Sequence, residues 1–185
     1  MAAEEDVGQE VFAHEMSQES REARVEPESQ IVRHAGMTPG RQANKNGEDL
    51  EYRVLDRLQR CGYQQVRELP DRRTVPFFIH QWRTSGLRSV THTLLIPDFL
   101  IWHPTKYPEG CLLECKWQQV SGSAEAKVRL IIESLLASPY RAIVILNGPG
   151  FSKSYLDYYK SLENDRLLVI ISSDDLFSRM NKGLF

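Results

Sequence analysis

A chain of 185 residues, 41% hydrophobic and 26% charged, has room for one domain with a real core plus a tail. No apolar run reaches the roughly 18–20 residues that span a bilayer, and the opening MAAEEDVGQE is acidic, unlike a basic-then-apolar leader, so neither a membrane segment nor a secretory signal is expected. The net charge of −2 hides an asymmetry: residues 1–30 hold nine acids and two arginines, and the rest carries 21 basic and 16 acidic residues, a body at +5 that suits a polyanion only weakly.

Residues 1–38 are polar and rich in Glu, Gln and Ser; they read as a flexible acidic arm, with the folded domain expected over 39–185. A first helix is expected from an Asn46 N-cap, with Leu50, Val54, Leu55, Leu58 and Cys61 at helical spacing and Gly62 at its end. QQVREL (64–69) and TVPFFIHQW (74–82) read as short strands joined by a Pro-Asp-Arg-Arg turn. THTLLIPDFLIW (91–102) and GCLLECKWQQV (110–120) read as two strands of a hairpin joined by HPTKYPEG.

The next helix takes Ser123 as N-cap and buries Val128, Ile131, Ile132 and Leu135. RAIVILN (141–147) is a buried strand closed by a glycine-proline turn, and RLLVIIS (166–172) is a second one. Between them SKSYLDYYKSLEN forms a helix whose Tyr155, Tyr158 and Tyr159 are expected to pack inward; SSDDLFSRM is a short last helix. An antiparallel meander and then crossover units make an α/β domain, a mixed sheet with helices on both sides.

The chemistry concentrates in residues 96–117. Strand alternation sends Leu112, Glu114, Lys116 and Gln118 to one side, and Cys111, Leu113, Cys115 and Trp117 to the other. If the neighbouring strand pairs as a hairpin, Asp98 faces the same side as Glu114. Two carboxylates held together raise each other's pKa unless a cation lies between them. Hard oxygen ligands with an open side suit Mg²⁺, and a lysine beside them could orient water or offset charge on a phosphorane-like transition state.

Pro97-Asp98, fifteen residues, then Glu114-Cys115-Lys116 resembles the signature of the PD-(D/E)XK nuclease superfamily, the restriction-endonuclease-like fold, over roughly residues 44–147. The resemblance implies phosphodiester hydrolysis with Mg²⁺, or Mn²⁺ as a substitute. Asp98, Glu114 and the main-chain carbonyl of Cys115 would hold the metal, and Lys116 would act at the water or the scissile phosphate. Many members add a glutamate from the first core helix, for which Glu48 and Glu51 are the candidates. In archaeal Holliday-junction resolvases of this superfamily a Gly-x3-Glu stretch is followed by a glycine 11 residues on; Gly47, Glu51 and Gly62 are similar in spacing, which favours Glu51. Gln118 resembles a glutamine found after the lysine in some restriction-type members. The segment SGSAEAK also looks restriction-type, which implicates Ser123 and Lys127 at the phosphate backbone.

Other signals in the chain are weaker. The second Pro-Asp, Pro70-Asp71, lies in a turn and too far from Glu114 to be its hairpin partner. Acids in a first helical turn are favoured by the helix dipole regardless of function. Arg72, Arg73, Arg83 and Arg88, with Lys106, form the densest basic neighbourhood and are the candidates for phosphate contacts on a duplex. Trp82, Trp102 and Trp117 read as packing. Cys111, Cys115 and His103 match no zinc spacing, and three cysteines in apolar surroundings point to a reducing, cytoplasmic setting. The expected function is a restriction-type DNA endonuclease acting on duplex DNA. A junction-resolvase-like or repair nuclease acting on branched DNA, a catalytically silent nucleic-acid-binding module and a partner-dependent subunit are the alternatives. One site cuts one strand, so a symmetric homodimer would suit a duplex cut.

Overall fold

The computed structural model describes residues 39–119 and 124–185; the acidic arm and the Ser123 cap lie outside the described residues. Helix α1 runs Pro39–Arg60, so its start lies well before Asn46, which is an interior residue and not a cap. Proline suits a first helical turn, where its missing N–H has no partner to lose. The residues before Leu50 bear no apolar stripe, so periodicity could not register them. The other end obeys its sequence signal. Gly62 adopts φ +86°, and the N–H groups of Tyr63 and Gly62 return to the carbonyls of Leu58 and Gln59 at 3.1 and 3.0 Å, a Schellman closure.

Six strands come next: β1 Gln64–Val66, β2 Phe77–His80, β3 Phe99–His103, β4 Tyr107–Trp117, β5 Arg141–Asn147 and β6 Leu167–Ile170. They lie in one sheet in chain order. The front of the sheet is not wholly a meander, because β1 and β2 run parallel. Residues 67–76 carry the chain back along the sheet instead of turning tightly, as a parallel pair requires. Strands β2, β3 and β4 are antiparallel, and β4, β5 and β6 are parallel.

Strand β3 is shorter than the apolar run 91–102. Leu94 pairs instead with Arg88 in a separate bridge, and Pro97, which has no N–H to give to a ladder, keeps the strand from starting before Phe99. Asp98 therefore stands at the mouth of β3 and not within it. Strand β4 begins earlier than expected, and Pro104–Lys106 remain as the turn.

Helices α2 (Ala124–Ala137), α3 (Lys153–Ser161) and α4 (Ser173–Asn181) complete the layers. Alternation along the strands sorts the core in two. Leu50, Val54 and Leu58 of α1 and Leu176 and Met180 of α4 pack with Phe78, Phe99, Leu113 and Cys115. Val128, Ile132 and Leu135 of α2 and Tyr159 of α3 pack with Ile79, Leu100, Leu112 and Val144. Only Tyr159 of the three α3 tyrosines is buried; Tyr155 and Tyr158 are 41% and 42% exposed, because they flank the inward stripe. Among the described residues no helix is long and apolar enough to cross a membrane.

Candidate active site

The register of the β3–β4 hairpin builds the centre. Phe99 pairs with Leu113, so the residue before Phe99 meets the residue after Leu113. The backbone N–H of Asp98 donates to Glu114 Oε2 at 3.2 Å, and the N–H of Cys115 donates to Asp98 Oδ2 at 2.7 Å. Each carboxylate thus caps the other's strand. Lys116 Nζ lies 2.6 Å from Glu114 Oε1 and 3.8 Å from Asp98 Oδ2. The Glu114 side chain is 5% exposed and that of Asp98 14%, so the site is largely withdrawn from water but open at the lysine.

This crowding sets the electrostatics. Burial, then the neighbouring Glu114 charge, pushes the Asp98 carboxyl up to about 8, with Glu51 adding to the push and Lys116 opposing it. Burial works against the Lys116 ammonium, but the carboxylates of Glu114 and Asp98 outweigh it and hold the amine above its ordinary range. Burial pushes the Cys115 thiol well up, and the adjacent acids add to that. It is an inert filler of the α1/α4 core. One ammonium is not enough for both buried acids to ionise near neutral pH.

The helix candidates separate. Glu48 is exposed. Glu51 is half-buried, its charge reaches Asp98, and its Oε2 lies 3.2 Å from His80 Nε2. His80, which ends β2, is not among the residues that sequence patterning marks out. Its one local signal is weak, a polar residue closing the apolar run FFIH, and its position beside Asp98 depends on the pairing of His80 with Phe99. Among the described residues no three His, Cys, Asp or Glu side chains stand in metal-ligating geometry.

Gln118 lies just past the end of β4, is 4% exposed, and its amide donates to the Gly150 carbonyl at 3.2 Å. The basic candidates come from separate stretches of the chain. Arg83 is near the site: its guanidinium donates to Gln81 Oε1 at 3.0 Å, and the N–H of Gln81 donates to the Asp98 carbonyl at 2.7 Å. Arg73 lines a small cleft with Trp102, Glu109 and Gly110, at the opposite end of β3. Arg88 sits on a side hairpin that is fixed to α2 by the Val90 N–H on Ser134 Oγ. Arg72 and Lys127 are exposed. Trp82 and Trp102 are buried and Trp117 half-buried.

The donor set fits a hard divalent cation: two carboxylates, unevenly compensated, at an opening that a lysine guards. Comparison with curated proteins and with solved structures finds no match. Residues 42–177 match the family profile of a PD-(D/E)XK nuclease superfamily domain. That span takes in all six strands and the Asp98–Glu114–Lys116 cluster, and this chain belongs to the PD-(D/E)XK nuclease superfamily.

Proposed function

We propose that this domain is a metal-dependent endodeoxyribonuclease of restriction type, with Asp98, Glu114 and Lys116 as its working side chains. The observation that carries the reading is the convergence of two buried acids, Asp98 and Glu114, on one lysine at the β3–β4 junction, where both acids ionise near neutral pH only if a further cation joins Lys116. A divalent ion, Mg²⁺ with Mn²⁺ as substitute, would be held by Asp98, Glu114 and the main-chain carbonyl of Cys115, with Glu51 of α1 as a further ligand, and would supply Lewis-acid polarisation of the phosphodiester. The carbonyl is a candidate because N–H and C=O of one strand residue point to the same neighbour, and the Cys115 N–H is aimed at Asp98.

Lys116 acts as a cation in this scheme. Its amine is held charged by Glu114 and Asp98, so it donates to the attacking water or to a phosphate oxygen and does not take a proton. Arg83, beside Gln81, is the nearest candidate to grip a flanking phosphate. Duplex DNA is proposed over branched DNA on the order Glu-Cys-Lys-Trp-Gln at 114–118, and a homodimer on the need for two strand cuts.

The test is cleavage of supercoiled plasmid and of a four-way junction by wild type and Lys116→Ala, each in Mg²⁺ and in EDTA. Metal-dependent cutting by wild type that the variant loses supports the site. Discrete plasmid fragments support restriction-type action, and preference for the junction would replace it with resolution. Silence of wild type on both, with intact DNA binding, would make the domain a binding module.

A further inference from the structure

We propose that His80 is a positioning residue of the acid site: it holds the Glu51 carboxylate in place from strand β2. The inference rests on the nuclease reading above. Glu51 comes directly after the buried Leu50 on α1, which fixes its backbone but leaves three side-chain torsions free. A glutamate of this kind loses rotamer entropy when it is ordered, and a fixed donor removes that loss from the binding step. His80 Nε2, 3.2 Å from Glu51 Oε2, is such a donor.

His80 is itself well fixed. Its ring stacks on Phe99 with centroids 5.0 Å apart, and its Cα pairs with Phe99 in the β2–β3 ladder. Phe99 is the neighbour of Asp98, so the ring that holds Glu51 is seated on the strand mouth that carries the first acid. The next residue completes the corner. Gln81 adopts φ 50°, an uncommon conformation for a residue with a long side chain, and from it donates its N–H to the Asp98 carbonyl at 2.7 Å. The end of β2 therefore bonds the side chain of one acid and the backbone of another. Glu48, one turn earlier on α1, is exposed and has no such support.

Two substitutions separate positioning from packing. His80→Phe keeps a ring against Phe99 and removes the donor; His80→Gln gives up the ring and keeps an amide N–H that reaches toward Glu51. The measurements are Mg²⁺ affinity by calorimetry, the thermal midpoint in EDTA, and kcat and KM on plasmid. The expected result is that His80→Phe melts near wild type yet binds Mg²⁺ about tenfold more weakly, with kcat reduced and KM for DNA unchanged. His80→Gln should melt lower and retain most of the Mg²⁺ affinity. Adding His80→Phe to Glu51→Gln should weaken Mg²⁺ no further, because the two act on one contact.

The reverse ranking, with Phe binding metal like wild type and Gln failing, overturns the inference and makes His80 a packing residue. Full additivity of the two substitutions also overturns it. Wild type that binds Mg²⁺ and cuts while His80→Phe is unaffected removes this inference alone. Wild type that neither binds Mg²⁺ nor cuts removes the nuclease reading, and this inference with it.

Discussion

At Asp98 the proposed role as a metal ligand and the stability of the fold oppose each other. Folded Asp98 keeps its proton up to about pH 8, while the unfolded residue releases it near its ordinary 3.8. Between those values the folded chain binds more protons, so the ion-free protein loses stability as pH rises from about 4 to 8 and then levels off. Asp98→Asn keeps an oxygen for the Cys115 N–H and removes the repulsion with Glu114. We expect it to melt about 2–4 °C above wild type at pH 8 in EDTA, a gain of about 1 kcal/mol, and the gain to shrink toward pH 5. Mg²⁺ at pH 8 should raise the midpoint of wild type and not of Asp98→Asn, and the variant should not cut. Calorimetric melts at the two pH values, with and without Mg²⁺, check both. A variant that melts lower than wild type at pH 8 would mean that Asp98 is not under repulsion. Composition and spacing bring Asp98, Glu114 and Lys116 into view, since charges in apolar runs are conspicuous. The sequence says much less about His80 or Gln118, whose partners, Glu51 and Gly150, are distant along the chain.

Two glycines show how much a single element depends on its surroundings. Gly62 and Gly148 both take positive φ, +86° and +111°. At Gly62 a Cβ would meet nothing within 4 Å, so Gly62→Ala should cost only the backbone strain, about 1 kcal/mol. At Gly148 it would lie 2.3 Å from the Gln118 carbonyl oxygen, and one of two backbone segments must move. Gly148→Ala should therefore cost at least about 2–3 kcal/mol and lower cleavage as well, because Gln118 sits just past the end of the strand that bears Lys116. Urea denaturation of the two variants, with plasmid cleavage alongside, measures the contrast; equal costs would mean that the loop at 147–150 gives way freely. Gly62 is legible as a stop because a glycine after an amphipathic run is a local signal. Pro39 as the helix start is not, because residues 39–45 lack an apolar stripe and continue a helix whose anchors, Leu50, Val54 and Leu58, lie in its later turns.

The compact unit Met37–Phe185 holds the basic part of the chain. Removing residues 1–30, with nine acids and two arginines, changes the net charge from −2 to +5. We expect that truncation to tighten DNA binding at low salt and to steepen the fall of affinity with salt, since a chain of higher net positive charge is drawn more strongly to the phosphate backbone. Fluorescence anisotropy on one duplex across a salt series tests this. Unchanged affinity and slope would make the acidic segment a bystander in DNA binding.

The sequence by itself determined the elements and their faces: alternation in FFIH, FLIW and CLLECKW and the helical stripes at Leu50–Leu58 and Val128–Leu135 are local patterns, set by which residues leave water. It also determined the chemistry available, because two acids and a lysine in apolar runs require compensation wherever they lie. Only the tertiary structure decided the direction of β1, the burial of Gln118 against the Gly150 carbonyl, and the meeting of Glu51 with His80. Each of these is a choice of partner between segments far apart in the chain. Such choices depend on register and on the burial of whole faces, which no single stretch of residues encodes.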